Sequence, residues 1–187
     1  MEKLLIKVKD TFLLADRGLV ITPLLPVPDK FKPFSKSVVV LKPDNQRKEY
    51  EGQFTSEHFY LEGGGGKSNV AIYFKSVSKN EIPIGSKIFV DSDLFSIFIK
   101  KMSVEDVEGK WEESYFDSGL IQRCKNAWKK PFLELTNEEM ATFLRQKIAV
   151  DYILPLARQR VLEGVDDNSE MYEGELRKNI AEFDNIQ

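Results

Sequence analysis

The feature that most constrains this chain is a change of period near residue 102. Before it, apolar residues recur at every second position. Leu4, Ile6 and Val8 alternate with Leu5, Lys7 and Lys9, and Val70, Ile72 and Phe74 with Ala71, Tyr73 and Lys75. Phe95, Ile97 and Ile99 likewise oppose Leu94, Ser96 and Phe98. A period of two is the mark of a half-buried strand. β-rich runs at Val38–Leu41 and Ile88–Val90 add two more strands, and turn residues separate the runs at Asp16-Arg17-Gly18, Pro26 to Asp29, Pro43-Asp44-Asn45, Gly63 to Gly66 and Pro83 to Gly85. Short strands at even intervals predict a barrel or sandwich.

After residue 102 the spacing becomes helical. Residues 103–114 are acidic and nearly without apolar periodicity, and read as a linker. Asp117 or Ser118 can cap a helix that runs to about Trp128, with Pro131 beyond its end. Thr136-Asn137-Glu138-Glu139 is a capping box, in which the Thr136 hydroxyl accepts from the third amide and Glu139 reaches back. Met140, Phe143, Leu144, Ile148 and Tyr152 follow as one apolar stripe. Pro155 should kink this helix or begin the next, Gly164 should stop it, and a last helix should cover Glu175 to Phe183. The expected class is α+β: a small N-terminal β-barrel over 1–101, an acidic linker over 102–116 and a small α-helical domain over 117–187.

Charge divides along the same line. Residues 1–101 hold 16 Lys/Arg and 12 Asp/Glu, a net of +4, and residues 102–187 hold 11 and 18, a net of −7, which together make the −3 of the 187-residue chain. No apolar run approaches the ~18 residues of a spanning helix. Met1 to Lys7 lacks the pattern of a secretory signal, and the single cysteine, Cys124, excludes an internal disulfide framework. The expected location is the cytoplasm, with no membrane partner.

Few residues suggest catalysis. Gly63-Gly64-Gly65-Gly66-Lys67-Ser68 ends like a phosphate-binding loop, but Leu61 stands where the motif needs its first glycine, and a strand rather than a helix follows. It reads as a hairpin loop. His58 is the only histidine, which rules out a histidine-based triad or a multi-histidine metal site. Cys124 sits at helical spacing from Leu120 and Ala127 and reads as a small buried hydrophobe. No calcium-loop spacing is present. No catalytic residue, metal ligand or cofactor-binding residue is therefore expected, and no cofactor. The basic residues Lys30, Lys32, Lys36, Arg47, Lys48, Lys100 and Lys101 are scattered among acids and make a weak nucleic-acid surface.

Residues 111–183 resemble the immunity proteins of bacterial contact-dependent growth inhibition systems. The resemblance runs through Phe116-Asp117-Ser118 with Leu120, Trp128-Lys129-Lys130-Pro131, Leu135 to Glu139, Arg145 to Ile148, Ile153 to Ala157 and Met171 to Leu176. Family members read Tyr-Pro-Gly-Asp where this chain has Tyr172-Glu173-Gly174-Glu175. Residues 9–93 resemble the second β-barrel domain of elongation factor Tu, through Phe12, Asp16 to Thr22, Asn69 to Ile72 and Ile82 to Ile88, with Pro23 where those factors carry glycine.

The first resemblance implies a non-enzymatic inhibitor that covers the working surface of a cognate toxin's C-terminal domain, with a nuclease as the expected toxin. The second implies an alternative, an RNA- or translation-linked binding module. For the toxin contact the expected residues are Glu163, Asp166, Asp167, Glu170, Glu173 and Glu175, six carboxylates within thirteen positions whose mutual repulsion a basic partner would relieve. Gln146, Pro155 and Gly174 are expected to serve the fold.

Overall fold

A computed structural model describes residues 1–60, 66–113, 115 and 118–184. The chain divides into two compact units, Met1–Met102 and Ser103–Gln187.

The first unit is one antiparallel sheet of seven strands: β1 (Glu2–Lys7), β2 (Asp10–Leu14), β3 (Gly18–Pro26), β4 (Phe34–Leu41), β5 (Arg47–Tyr60), β6 (Gly66–Phe74) and β7 (Lys87–Asp91). Their order is β1-β7-β4-β5-β6-β3-β2. The two edge strands are thus consecutive in the chain, joined by Val8 and Lys9. Val8 donates to Ser86 O at 2.8 Å beside β7, whereas Lys9 donates to Thr22 O at 2.8 Å on β3. The chain changes sides of the sheet there, so the sheet must coil. Among the described residues no ladder joins β1 to β2, and the expected barrel is an open one.

Every apolar period assigned to β1, β4, β6 and β7 forms strand, but Phe95 to Ile99 does not. That stretch is α1 (Ser92–Ile99), capped by Asp91, whose carboxylate accepts from the Leu94 amide at 2.8 Å. Its buried residues are Leu94, Phe98 and Ile99. They fall at helical spacing, and in a stretch where five of six residues are apolar the period of two carries little information. Phe98 closes the core by stacking on Phe54 at 5.9 Å, which itself stacks on Phe34 at 4.7 Å.

The second unit holds α2 (Val104–Glu108), α3 (Gly119–Ala127), a 3₁₀ turn (Phe132–Glu134), α4 (Asn137–Arg145), α5 (Val150–Glu163) and α6 (Glu175–Asp184). Within the stretch expected to be a linker, Ser103 and Asp106 form a capping box and α2 buries Val104 and Val107. Ser118 caps α3 by accepting from Ile121 N at 3.3 Å; the alternative cap, Asp117, lies outside the described residues, as do Gly63, Gly64 and Gly65 of the glycine run.

The stripe from Met140 to Tyr152 is not one helix. It breaks after α4, where Lys147 and Ala149 both take positive φ, 57° and 48°. Glu108 of α2 accepts the Ala149 amide at 2.9 Å, fixing the new start. Pro155 does not begin a helix; it lies inside α5 on the exposed side. Gly164 ends α5 at φ 68°, with Val165 N donating to Arg160 O at 3.1 Å. Phe132 stacks on Tyr152 at 5.6 Å, and Phe132, Phe143, Leu144, Ile153 and Leu176 form the core of this unit.

Candidate functional site

The first three or four amides of a helix have no partner inside it and carry the positive end of its dipole. At α4 the box forms as expected, Glu139 N donating to Thr136 Oγ1 at 3.2 Å and Thr136 N to Glu139 Oε2 at 2.7 Å. The next two amides are taken by the loop that follows α5. Asn137 N donates to Asp167 Oδ2 at 2.9 Å, and Glu138 N to Ser169 Oγ at 3.0 Å. The buried Asn137 side chain donates to Val165 O at 3.0 Å and accepts from Arg160 at 3.2 Å. Arg160 also lies 3.5 Å from Asp167. Burial pushes the Asp167 carboxyl up, but bonds from the Ser169 hydroxyl and from the Asn137 and Ser169 amides, with the Arg160 charge, outweigh it and hold the group below its usual range.

The start of α6 is built the same way. Glu170 accepts from Gly174 N at 3.1 Å and from Leu176 N at 2.9 Å. Glu175, fully buried, accepts from Met171 N at 2.9 Å and from Arg145 of α4 at 3.1 Å. Gly174 stands in the turn at φ 77°, a conformation side-chain-bearing residues resist.

The six expected carboxylates therefore fall into two groups. Asp167, Glu170 and Glu175 accept backbone amides and hold the loop between α5 and α6, with Glu175 buried, Glu170 half-buried and Asp167 exposed. Glu163, Asp166 and Glu173 are exposed; Glu163 accepts from Gln159 Nε2 at 2.8 Å and Asp166 from Asn168 N at 2.9 Å. Much of the repulsion that sequence crowding implies is relieved inside the molecule, by backbone amides and two arginines.

An open cleft of about 430 Å³ lies in this loop, with Asp166, Glu170 and Glu173 on its walls, Asn137 and Arg177 beside them, and Val165 and Leu176 as apolar lining. Sequence reading missed the exposed apolar side chains of the same stretch of chain. Leu162 is 86% exposed, and Val165, Met171 and Tyr172 are exposed with it. The available signal was Leu162 beside the terminating Gly164, a large apolar side chain in the last turn of a helix.

Other candidates are absorbed by the fold. His58 Nδ1 lies 2.9 Å from Ser68 Oγ, directly across the β5–β6 ladder. Its ring covers Gly66, where an added Cβ would come within 2.2 Å of Nε2 and oblige the ring to turn aside. Cys124 is buried, and burial pushes its thiol up. Of the scattered basic residues, Lys36 pairs with Asp91 at 3.0 Å and Lys48 with Glu81 at 3.2 Å, while Arg47 pairs with Glu2 and Lys101 with Asp29. Among the described residues, no group of three or more His, Cys, Asp or Glu is placed to hold a metal ion, and no helix is long and apolar enough to cross a membrane.

Residues 103–186 match the family of CDI immunity proteins, the proteins of contact-dependent growth inhibition. The match covers just under half of the chain and follows the bounds of the helical unit. No curated protein and no solved structure matches the chain.

Proposed function

We propose that the helical unit is a toxin-neutralising immunity module that acts by occupancy: it binds the toxin domain delivered by a neighbouring bacterial cell and covers its working surface in the cytoplasm. No catalysis is required of it. The match of residues 103–186 carries this reading. The contact surface we assign is the α5–α6 loop, where Glu163, Asp166 and Glu173 stand among Leu162, Val165, Met171 and Tyr172. Exposed apolar side chains interspersed with charge along one segment suit a protein contact, where the apolar area supplies affinity and the charges set encounter rate and register. Asp167, Glu170 and Glu175 position that loop rather than touch the partner. The net charge of −7 over residues 102–187 suits a basic partner, and a nuclease must be basic to hold phosphate backbones. The cognate toxin is accordingly proposed to be a nuclease.

The decisive experiment reverses Glu163, Asp166 and Glu173 together to Lys and measures binding to the cognate toxin domain by calorimetry, and protection of cells that express it. All three side chains are exposed, so the variant should keep its helical circular dichroism. Binding should weaken, by roughly 2–5 kcal/mol if the charges are buried in the contact and mainly through a slower, less salt-dependent association if they lie at its rim. A folded triple variant that binds and protects as the parent does would move the contact elsewhere. An unaltered chain that binds no such toxin domain would overturn the function itself.

A further inference from the structure

Asn137, the first residue of α4, is buried, at 4% exposure. A buried amide side chain costs free energy unless its polar atoms find partners. Both of these do. Nδ2 donates to Val165 O at 3.0 Å, and Oδ1 accepts from Arg160 at 3.2 Å. With the bond from its backbone amide to Asp167 Oδ2, Asn137 holds the chain on either side of Asp166.

Arg160, in the last turn of α5, completes the arrangement. One terminal nitrogen donates to Asn137 Oδ1 and lies 3.5 Å from Asp167, and the other donates to Leu133 O at 3.2 Å. A planar guanidinium reaches separated acceptors from one fixed position, which an ammonium does not. Arg160 thus ties the end of α5 to the 3₁₀ turn and to the start of α4. Val165 and Asp166, the residues between these ties, belong to the surface assigned to the toxin. Asn137 and Arg160 do not: the first is buried, and the second directs both terminal nitrogens at groups of its own unit.

We propose that Asn137 and Arg160 are positioning residues for the toxin contact: they fix Val165 and Asp166 in their bound arrangement before the toxin arrives. This rests on the assignment of the contact to the α5–α6 loop. A segment that is ordered only on binding subtracts that ordering from the affinity, and one already held by its own molecule does not. Affinity therefore depends on two side chains outside the contact, acting through the backbone of residues 165–167.

Two variants of the full chain test this. Asn137→Asp keeps an acceptor for Arg160, and a carboxylate in the first turn suits the helix dipole, but it cannot donate to Val165 O and it repels Asp167. Arg160→Lys keeps the charge and loses the fork. In the free protein, hydrogen exchange at the Asn137, Glu138 and Ser169 amides should quicken in both variants, with the amides inside α4 and α6 unchanged. Affinity for the purified cognate toxin domain, measured by surface plasmon resonance, should fall roughly tenfold, the effect of ordering one or two more groups on binding. In an Asp166→Lys background the same substitutions should cost less than in the parent, a coupling that a role in overall stability does not produce. Loosened amides with parental affinity overturn the proposal. So do amides that stay protected in both variants, or a penalty undiminished in the Asp166→Lys background. Should Asn137→Asp fail to fold, Arg160→Lys decides. An unaltered chain that binds no toxin domain removes the function and this proposal together, and the exchange result separates that failure from a loop that was never clamped.

Discussion

Carboxylates in the sheet unit and in the helical unit do different structural jobs. In the sheet unit, Asp10, Asp44, Glu81 and Asp91 accept backbone amides from one to three residues away, at turns and at the start of α1. In the helical unit Asp106, Glu139 and Asp166 do the same, but Glu108 also accepts Ala149 N from 41 residues away and Asp167 accepts Asn137 N from 30. The difference follows from backbone chemistry. A sheet joins distant segments through its ladders, so its side chains need only finish the turns. Helices satisfy their amides internally except at their ends, and side chains must make the polar links between elements. Part of the acid excess of residues 102–187 is therefore architectural, and only what remains exposed is free to meet a partner.

The contrast can be broken most forcefully at Glu175. Glu175→Ala leaves the partly exposed Arg145 without its buried partner and the Met171 amide unbonded, and should cost roughly 2–3 kcal/mol, the level of a lost charge-assisted bond with an amide left unpaired. Urea denaturation followed by circular dichroism measures it. A loss below that of a surface pair would show that the helical unit does not depend on its long-range carboxylates.

Gly174→Val should follow, at about 2 kcal/mol, since φ 77° is costly for a β-branched residue even though no neighbour lies within 4 Å of the added carbon. A variant of parental stability with weakened toxin binding would place Gly174 in the contact rather than in the fold.

The smallest effect belongs to the sheet unit. Bonds from the Ser78 amide, then the Lys48 ammonium and the Ser78 hydroxyl, lower the Glu81 carboxyl from 4.5 to about 2. A lowered folded-state value means that the stabilisation is fully present above pH 4.5 and fades as pH falls toward 2. The pair is solvent-exposed, so Glu81→Gln should have a modest effect at neutral pH, with the gap to the parent closing across that window. Parallel denaturation series at several pH values check the sign. A gap that persists at pH 2 would mean that the side chain acts through packing and not charge.

What could be read from the residues in order is what short-range interactions decide. The Thr136 box, the Gly164 stop, the Asp16-Arg17-Gly18 turn and the strands with polar alternation all form as expected, because each depends on contacts within a few positions. The two compact units divide after Met102, although helix begins earlier, at α1. Tertiary structure alone decided the rest. Leu94 to Ile99 is apolar enough to serve either period; Asp91 offers it a local cap, and the fit of Phe98 into the aromatic core is the tertiary contact that favours helix. The Met140 to Tyr152 stripe broke because Glu108, distant in sequence, captured the Ala149 amide. The six carboxylates are indistinguishable by charge and spacing. Which three hold the loop was settled by where the first amides of α4 and α6 came to lie, together with Arg145 and Arg160, and unsatisfied helix-end amides meet a carboxylate 30 residues away only once the helices have packed.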